Sequence, residues 1–168
     1  DRHVIFTGGT NEFGYFEVDP KDYSLRFHSL MNLTHKQNPD VGEIWNIMRL
    51  GNDVVFQSKE KLLIYHHNNT LTVISSKYWI ESSAVIDDQL FLGCKEGLFE
   101  LKRGKIVPVD VKGHEMLTGN LIRSILPFEG KIMIATATGG LYLYDKKEIV
   151  PYTLDISPFL IENNLFCA

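Results

Sequence analysis

Three observations predict an all-β fold, a β-propeller segment of about four four-stranded antiparallel blades. One strand–loop–strand unit occurs four times, the recurrence has a period near 40, and the 3.6-residue apolar spacing of helical repeats is missing. The clearest copy is "KIMIATATGGLYLYD" at 131–145. Its apolar run and its alternating Leu-Tyr-Leu-Tyr are rich in β-branched and aromatic residues and bounded by Gly and charge, which reads as two neighbouring strands. The same design stands in "HVIFTGGTNEFGYFEVDPKD", "NDVVFQSKEKLLIYHHNNT" and "DQLFLGCKEGLFELKRGKI". The alternating strands end at Val18, Tyr65, Leu101 and Tyr144, spaced 47, 36 and 43 residues apart.

Each copy also supplies flanking strands. First strands are expected at 44–50 ("IWNIMRL"), 81–86 ("ESSAVI") and 121–127 ("LIRSILP"), and fourth strands at 25–30, 71–75, 105–111 and 149–154. In a blade the first strand lines the central axis and the last forms the outer edge. Pro108 and Pro151 fall in fourth strands, where a missing N–H is tolerated. The repeats then run over about 1–43, 44–80, 81–120 and 121–164 of one propeller segment spanning 1–168. The chain opens on a second strand at Val4, and the closing "NNLFCA" is expected to begin another first strand. Such a segment is either an arc of a larger propeller or a small ring closed by pairing its ends. Gly14, Gly97 and Gly140 precede the alternating strand, where a turn wants positive φ or close backbone approach. Lys61 replaces this glycine in the second copy, so that turn differs or Lys61 is strained.

Composition excludes some functions. The chain has 168 residues, 44% apolar and 23% charged, with net charge −4, and its densest basic cluster is "LKRGK" at 101–105. Nucleic-acid binding needs a basic face, so no nucleic-acid contact is expected from this segment. No apolar run approaches the ~20 residues of a membrane span. Two cysteines, Cys94 and Cys167, fit a reducing compartment or an exported bacterial protein without disulfides. Without an initiator Met or a signal-peptide pattern, the chain reads as a piece of a longer protein.

The stretch "NLIRSILPFEGKIMIATATGGLYLYDKK" at 120–147 resembles the two-component regulator propeller repeat through Asn120, Arg123, Ser124, Ile125, Gly130, Ile134, Thr136, Gly139, Gly140, Leu141 and Tyr144. It departs at Met133, where the repeat usually has Trp, and by one extra residue in the Thr–Gly loop. "EIWNI", "FQS" and "KEGLFEL" match more loosely, so the resemblance covers the whole chain by architecture and about 30 residues by sequence. The opening "FTGGTNEFGYFEVD", followed by "SL" and "GEIWNI", further resembles a subgroup of such propellers, which implies a periplasmic sensor propeller, joined outside this chain to a triple-tyrosine β-sandwich, a membrane span and a kinase or helix-turn-helix output domain. It further implies a homodimer in the full-length protein, contact with the membrane only through segments outside this chain, a small-molecule or oligosaccharide ligand, and no cofactor.

In an up-and-down blade the loops between strands two and three emerge on the same face as the connections between blades. Here that face collects 8–11, 58–61, 94–96 and 137–139 with the linkers 35–42, 76–78 and 113–120. Loops held by a rigid scaffold carry function, and their shared funnel is the expected pocket. Within it Trp45, Tyr78, Trp79, Asn120 and Arg123 are the candidate ligand-binding residues: aromatic faces for stacking, an amide and a guanidinium for orientation. The competing reading packs the indoles between blades and pairs Arg123 with an acid across blades.

Catalytic patterns are poor, so no catalytic residue, metal site or enzyme activity is expected. His114-Glu115-Met116-Leu117-Thr118 starts like a zinc-protease helix but has Thr118 where the second imidazole is needed. His66-His67-Asn68-Asn69 reads as a solvated hairpin turn, and "TGGT" at 7–10 lacks the Lys and helix of a phosphate loop. Asp19, Asp22, Asp87 and Asp88 read as turn residues that bond their own backbone. Two functions stay open, a ligand-binding sensor segment and a protein-docking or dimerisation scaffold without a small ligand.

Overall fold

The computed structural model describes residues 4–34 and 40–166. Two compact units divide the chain, Asp1–Ser75 and Ser76–Ala168. Both are built from antiparallel sheets whose strands follow one another in sequence.

The first unit opens with a three-stranded sheet, β1 (Val4–Gly9), β2 (Glu12–Val18) and β3 (Leu25–Ser29), in that order. A 3-10 turn at Met31–Leu33 leads to a four-stranded sheet of β4 (Ile44–Leu50), β5 (Asp53–Ser58), β6 (Lys61–Tyr65) and β7 (Leu71–Ser75). The expected start on a second strand is what the sheet shows, since β1 and β2 pair as the apolar and alternating strands of the repeat. Phe13, Leu30, Val41, Phe56 and Leu63 form the core, with the Phe13 and Phe56 rings 4.9 Å apart in an edge contact. Of the linker 35–42, residues 35–39 lie outside the described residues, as does Cys167.

The second unit contains β8 (Ile80–Ile86), β9 (Gln89–Cys94), β10 (Gly97–Lys102) and β11 (Lys105–Pro108) in one sheet. Its other sheet is β12 (Ile122–Phe128), β13 (Lys131–Thr136), β14 (Gly140–Tyr144) and β15 (Ile149–Tyr152). Its core joins Phe91, Leu98 and Leu117 to Ile122, Ile125, Ile132, Ile134 and Tyr142. Strand alternation explains that core: Ile132, Ile134, Tyr142 and Tyr144 are buried while Met133, Leu141 and Leu143 are half-buried on the other side.

Two expectations, the place of Gly14 and the closing strand, need correction. Gly14 lies inside β2, paired with Thr7 and Ser29, and a Cβ there would collide with the His28 carbonyl, so close approach and not turn geometry requires it. Gly97 and Gly140 do take positive φ, +131° and +83°. Lys61 does not, so its turn differs, and its ammonium group donates to the Asp40 carbonyl. The closing segment forms α1 (Ser157–Glu162) and then runs without strand structure through Phe166. Ile161 of α1 sits 3.5 Å from the place of a Cβ at Gly140, which docks the helix on β14.

Candidate functional site

The three four-stranded sheets share an irregularity at the second residue of the first strand. Ile44 faces Ser58 and Asn46 faces Gln57, with Trp45 between them. Ile80 faces Cys94 and Ser82 faces Gly93, with Glu81 between; Ile122 faces Thr136 and Ser124 faces Ala135, with Arg123 between. A bulge leaves its extra residue outside the ladder and re-aims that side chain. Trp45, Glu81 and Arg123 are therefore presented by one repeated backbone device. Trp45 and Arg123 are among the residues read from the sequence, and Glu81 is not. The signal was available in register, as Ile-Trp-Asn, Ile-Glu-Ser and Ile-Arg-Ser.

Within the second unit two of these side chains meet. Arg123 Nη1 lies 3.6 Å from Glu81 Oε2, both partly buried. β8 and β12 are held close enough for this because Ser82 Oγ donates to the Ile122 carbonyl at 2.7 Å. Gly93 is equally required, since a Cβ there would stand 2.6 Å from Ile122 Cγ2. The Phe166 ring lies over the Arg123 guanidinium at 5.5 Å, while the buried Arg123 Nε–H has no acceptor among the described residues. Neighbouring Cys94 is buried, and desolvation, with the Glu96 and Glu81 charges adding, pushes its thiol up to about 12.

In front of this pair the second unit has a cleft of about 660 Å³. Lys77, Tyr78 and Trp79 wall it from the connection before β8, Glu81 from β8 itself, and Lys95 and Glu96 from the β9–β10 loop. Gly119 and Leu121 of the linker close it, with Ala137 and Thr138 of the β13–β14 loop. These are the loop classes expected to share a face. Backbone bonds lock them together, Gly119 N–H to Lys95 O and Ala137 N–H to Leu121 O, both at 2.8 Å.

The five candidate residues separate by role. Tyr78 and Trp79 line the cleft; Tyr78 rests against Phe99 at 5.2 Å with the Lys77 ammonium 5.2 Å over its ring, and Trp79 is 56% exposed. Asn120 is committed to the rim: its Oδ1 accepts from Thr138 Oγ1 at 2.8 Å and its Nδ2 donates to Met116 O at 3.4 Å. Arg123 pairs with Glu81, which itself lines the cleft. Trp45 belongs to the first unit, 46% exposed, with the Lys59 ammonium 5.8 Å from its ring. Neither indole is packed away, whereas the pairing of Arg123 with an acid of the neighbouring sheet is observed. Among the described residues no three His, Cys, Asp or Glu side chains converge as metal ligands do. His66 is held in its hairpin, Nδ1 to Asp53 Oδ2 and Nε2 to Thr72 Oγ1, each at 2.8 Å.

No family model matches the chain, and no curated protein does. Among solved structures it is similar to the extracellular domain of the protein assigned as hybrid two component system BT4673 of B. thetaiotaomicron, with TM-score 0.58 and 16% identity over 84% of this chain and 19% of that one. It is similar to the corresponding domain of BT3049 from the same organism, with TM-score 0.58 and 14% identity over 86% and 20%. The computationally designed Ika4 protein aligns at TM-score 0.57 and 12% identity over 86% of each chain. At these identities the likeness shows the fold, and the chain spans about a fifth of the length of the two extracellular domains.

Proposed function

We propose that this chain is a non-catalytic, ligand-binding propeller segment of a bacterial signal-transduction regulator, working on the periplasmic side of the membrane. Its signal passes to a kinase or DNA-binding output domain outside the chain. The observation that carries the reading is the cleft of the second unit, where an exposed indole and four loops converge on a bulged, charge-paired pair of first strands. Aromatic walls with a few fixed polar groups suit a small organic ligand, an oligosaccharide among them. The extracellular domains that share the fold support the same placement at the level of architecture.

Thermal unfolding against a panel of oligosaccharides and small metabolites tests this. A ligand at one hundred times its Kd adds ~2.7 kcal/mol, a shift of several degrees. Trp79→Ala should erase the shift; a shift that survives it places the ligand elsewhere.

A second reading, a docking or dimerisation scaffold, is favoured by one feature. Leu154, Ile156, Phe159, Ile161 and Phe166 are all exposed large apolar residues within one short segment. Under this reading the panel gives no shift, and Phe159→Ser lowers the mass measured by sedimentation.

A further inference from the structure

We propose that the edge of β1 is a docking site for an extended segment of a partner protein, which adds to it as an antiparallel strand. The segment carries a small residue opposite Gly8, an aliphatic residue opposite Val4 and an acid directly after it. In the three four-stranded sheets the strand equivalent to β1 is interior: β4 covers β5, β8 covers β9 and β12 covers β13. Among the described residues β1 pairs with β2 alone. Its sequence, Val-Ile-Phe-Thr-Gly-Gly, holds neither charge nor proline, two devices that keep an edge from accepting a strand. When a peptide adds to such an edge, main-chain pairing supplies affinity and the spaces for alternate side chains choose the sequence.

The second unit shows which sequence fits, because β8 occupies the equivalent place on β9. Ser82 stands opposite Gly93, Ala84 opposite Phe91 and Ile86 opposite Gln89, and Asp87 follows. Gly8 repeats the close approach of Gly93: a Cβ would stand 2.6 Å from Cγ2 of Ile44 in one and of Ile122 in the other. Ser82 Oγ donates to the Ile122 carbonyl at 2.7 Å, and a serine opposite Gly8 is placed to do the same at Ile44. Ile86 is 9% exposed, and the seam it lines keeps only about 170 Å³. The seam of the first unit, lined by Phe6, Val54, Tyr65 and His67, keeps about 390 Å³, which leaves room for an aliphatic side chain. Charge agrees with shape. His67 follows Tyr65 by two residues, as Lys146 follows Tyr144, and Lys146 holds the Asp87 carboxylate at 2.9 Å. His67 and Arg49 both line the first unit's seam, whose acid, Asp53, is engaged by His66 at 2.8 Å.

A synthetic peptide with the sequence of residues 80–88, Ile-Glu-Ser-Ser-Ala-Val-Ile-Asp-Asp, is the probe, added to the intact chain. Fluorescence anisotropy of the labelled peptide should show saturable binding, and hydrogen exchange should show protection rising at β1 and unchanged at β3 and β7. In the peptide, Ile86→Ser should weaken binding by roughly tenfold or more, and Asp87→Lys by about threefold at low salt. Ser83→Pro and Ala84→Pro together remove a ladder N–H whichever side of the peptide faces β1, and should abolish binding. In the His67→Gln chain the effect of Asp87→Lys should shrink. Absence of binding, protection gained at β3 or β7 in place of β1, or indifference to Ile86→Ser or to Asp87→Lys overturns the proposal. So does a doubled sedimentation mass with β1 protected in the chain alone, where a second copy holds the edge.

Discussion

Arg123 and Glu81 join the first strands of the second unit's two sheets by one charge pair, and Glu81 also lines the cleft. The two side chains are partly buried, so removal of either strands a charge away from water. Arg123→Ala should cost roughly 1–3 kcal/mol in urea unfolding, and the double variant with Glu81→Gln should recover part of it. If the double variant is as unstable as the sum of the singles, the two charges are not coupled. Cys94 gives a pH test. Its thiol is held at about 12 in the fold against 9.0 ordinarily, so the folded state keeps the proton longer. The associated stability is complete below pH 9 and is lost as pH rises toward 12. Cys94→Ala should flatten that alkaline decline, and the native thiol should resist iodoacetamide at pH 8 while the unfolded one reacts. At this scale the sequence reveals residue types that stand out, as Trp79 and Arg123 do. It hid Glu81, an ordinary acid whose importance comes from sharing a backbone position with Trp45 and Arg123.

Strands were the most legible level, because alternation and turn residues are local signals. The expected first strand at 44–50 and fourth strand at 71–75 coincide with β4 and β7. Pro108 and Pro151 stand in β11 and β15, each at the outer end of its sheet's strand order. The helix α1 was not legible, since six residues are too few to display a 3.6 period and its start relies on Ser157 Oγ accepting from Leu154 N–H at 2.8 Å. The stretch after it was expected to begin a strand, yet its described residues, through Phe166, make a backbone bond to the β13–β14 loop, Leu165 N–H to Ala137 O, and no ladder. How elements approach one another was equally hidden. Gly8 and Gly93 sit at matching places in β1 and β9, and each leaves no room for a methyl against Ile44 and Ile122 respectively. Gly93→Ala should therefore destabilise by roughly 2–4 kcal/mol, while Gly9→Ala, open on all sides, should stay within about 0.5 kcal/mol. Equal effects at the two positions would mean that the close approach of β12 to β9 is not needed.

Taken whole, the two units differ in one respect that predicts unequal stability. Among the described residues the second has two four-stranded sheets, whereas the first has one four-stranded sheet and one of three strands, with β1 at its edge. The consequence is visible where first-to-second and third-to-fourth strand turns emerge. In the second unit that seam keeps a cavity of about 170 Å³, lined by Ile86 and by Asp87, whose carboxylate binds the Lys146 ammonium at 2.9 Å. In the first unit the corresponding seam, lined by Phe6, Val54, Tyr65 and His67, leaves about 390 Å³, because no described strand supplies the counterpart of Ile86 and Asp87. An uncovered edge exposes backbone donors to exchange, and an unfilled seam forfeits packing. Native-state hydrogen exchange should accordingly find the amides of β1 far less protected than those of β9, its repeat equivalent, and Asp1–Ser75 should lose protection at lower denaturant than Ser76–Ala168. Protection of β1 as strong as that of β9 would mean that a further strand covers its edge in solution, and the seam of the first unit would then be filled as that of the second is.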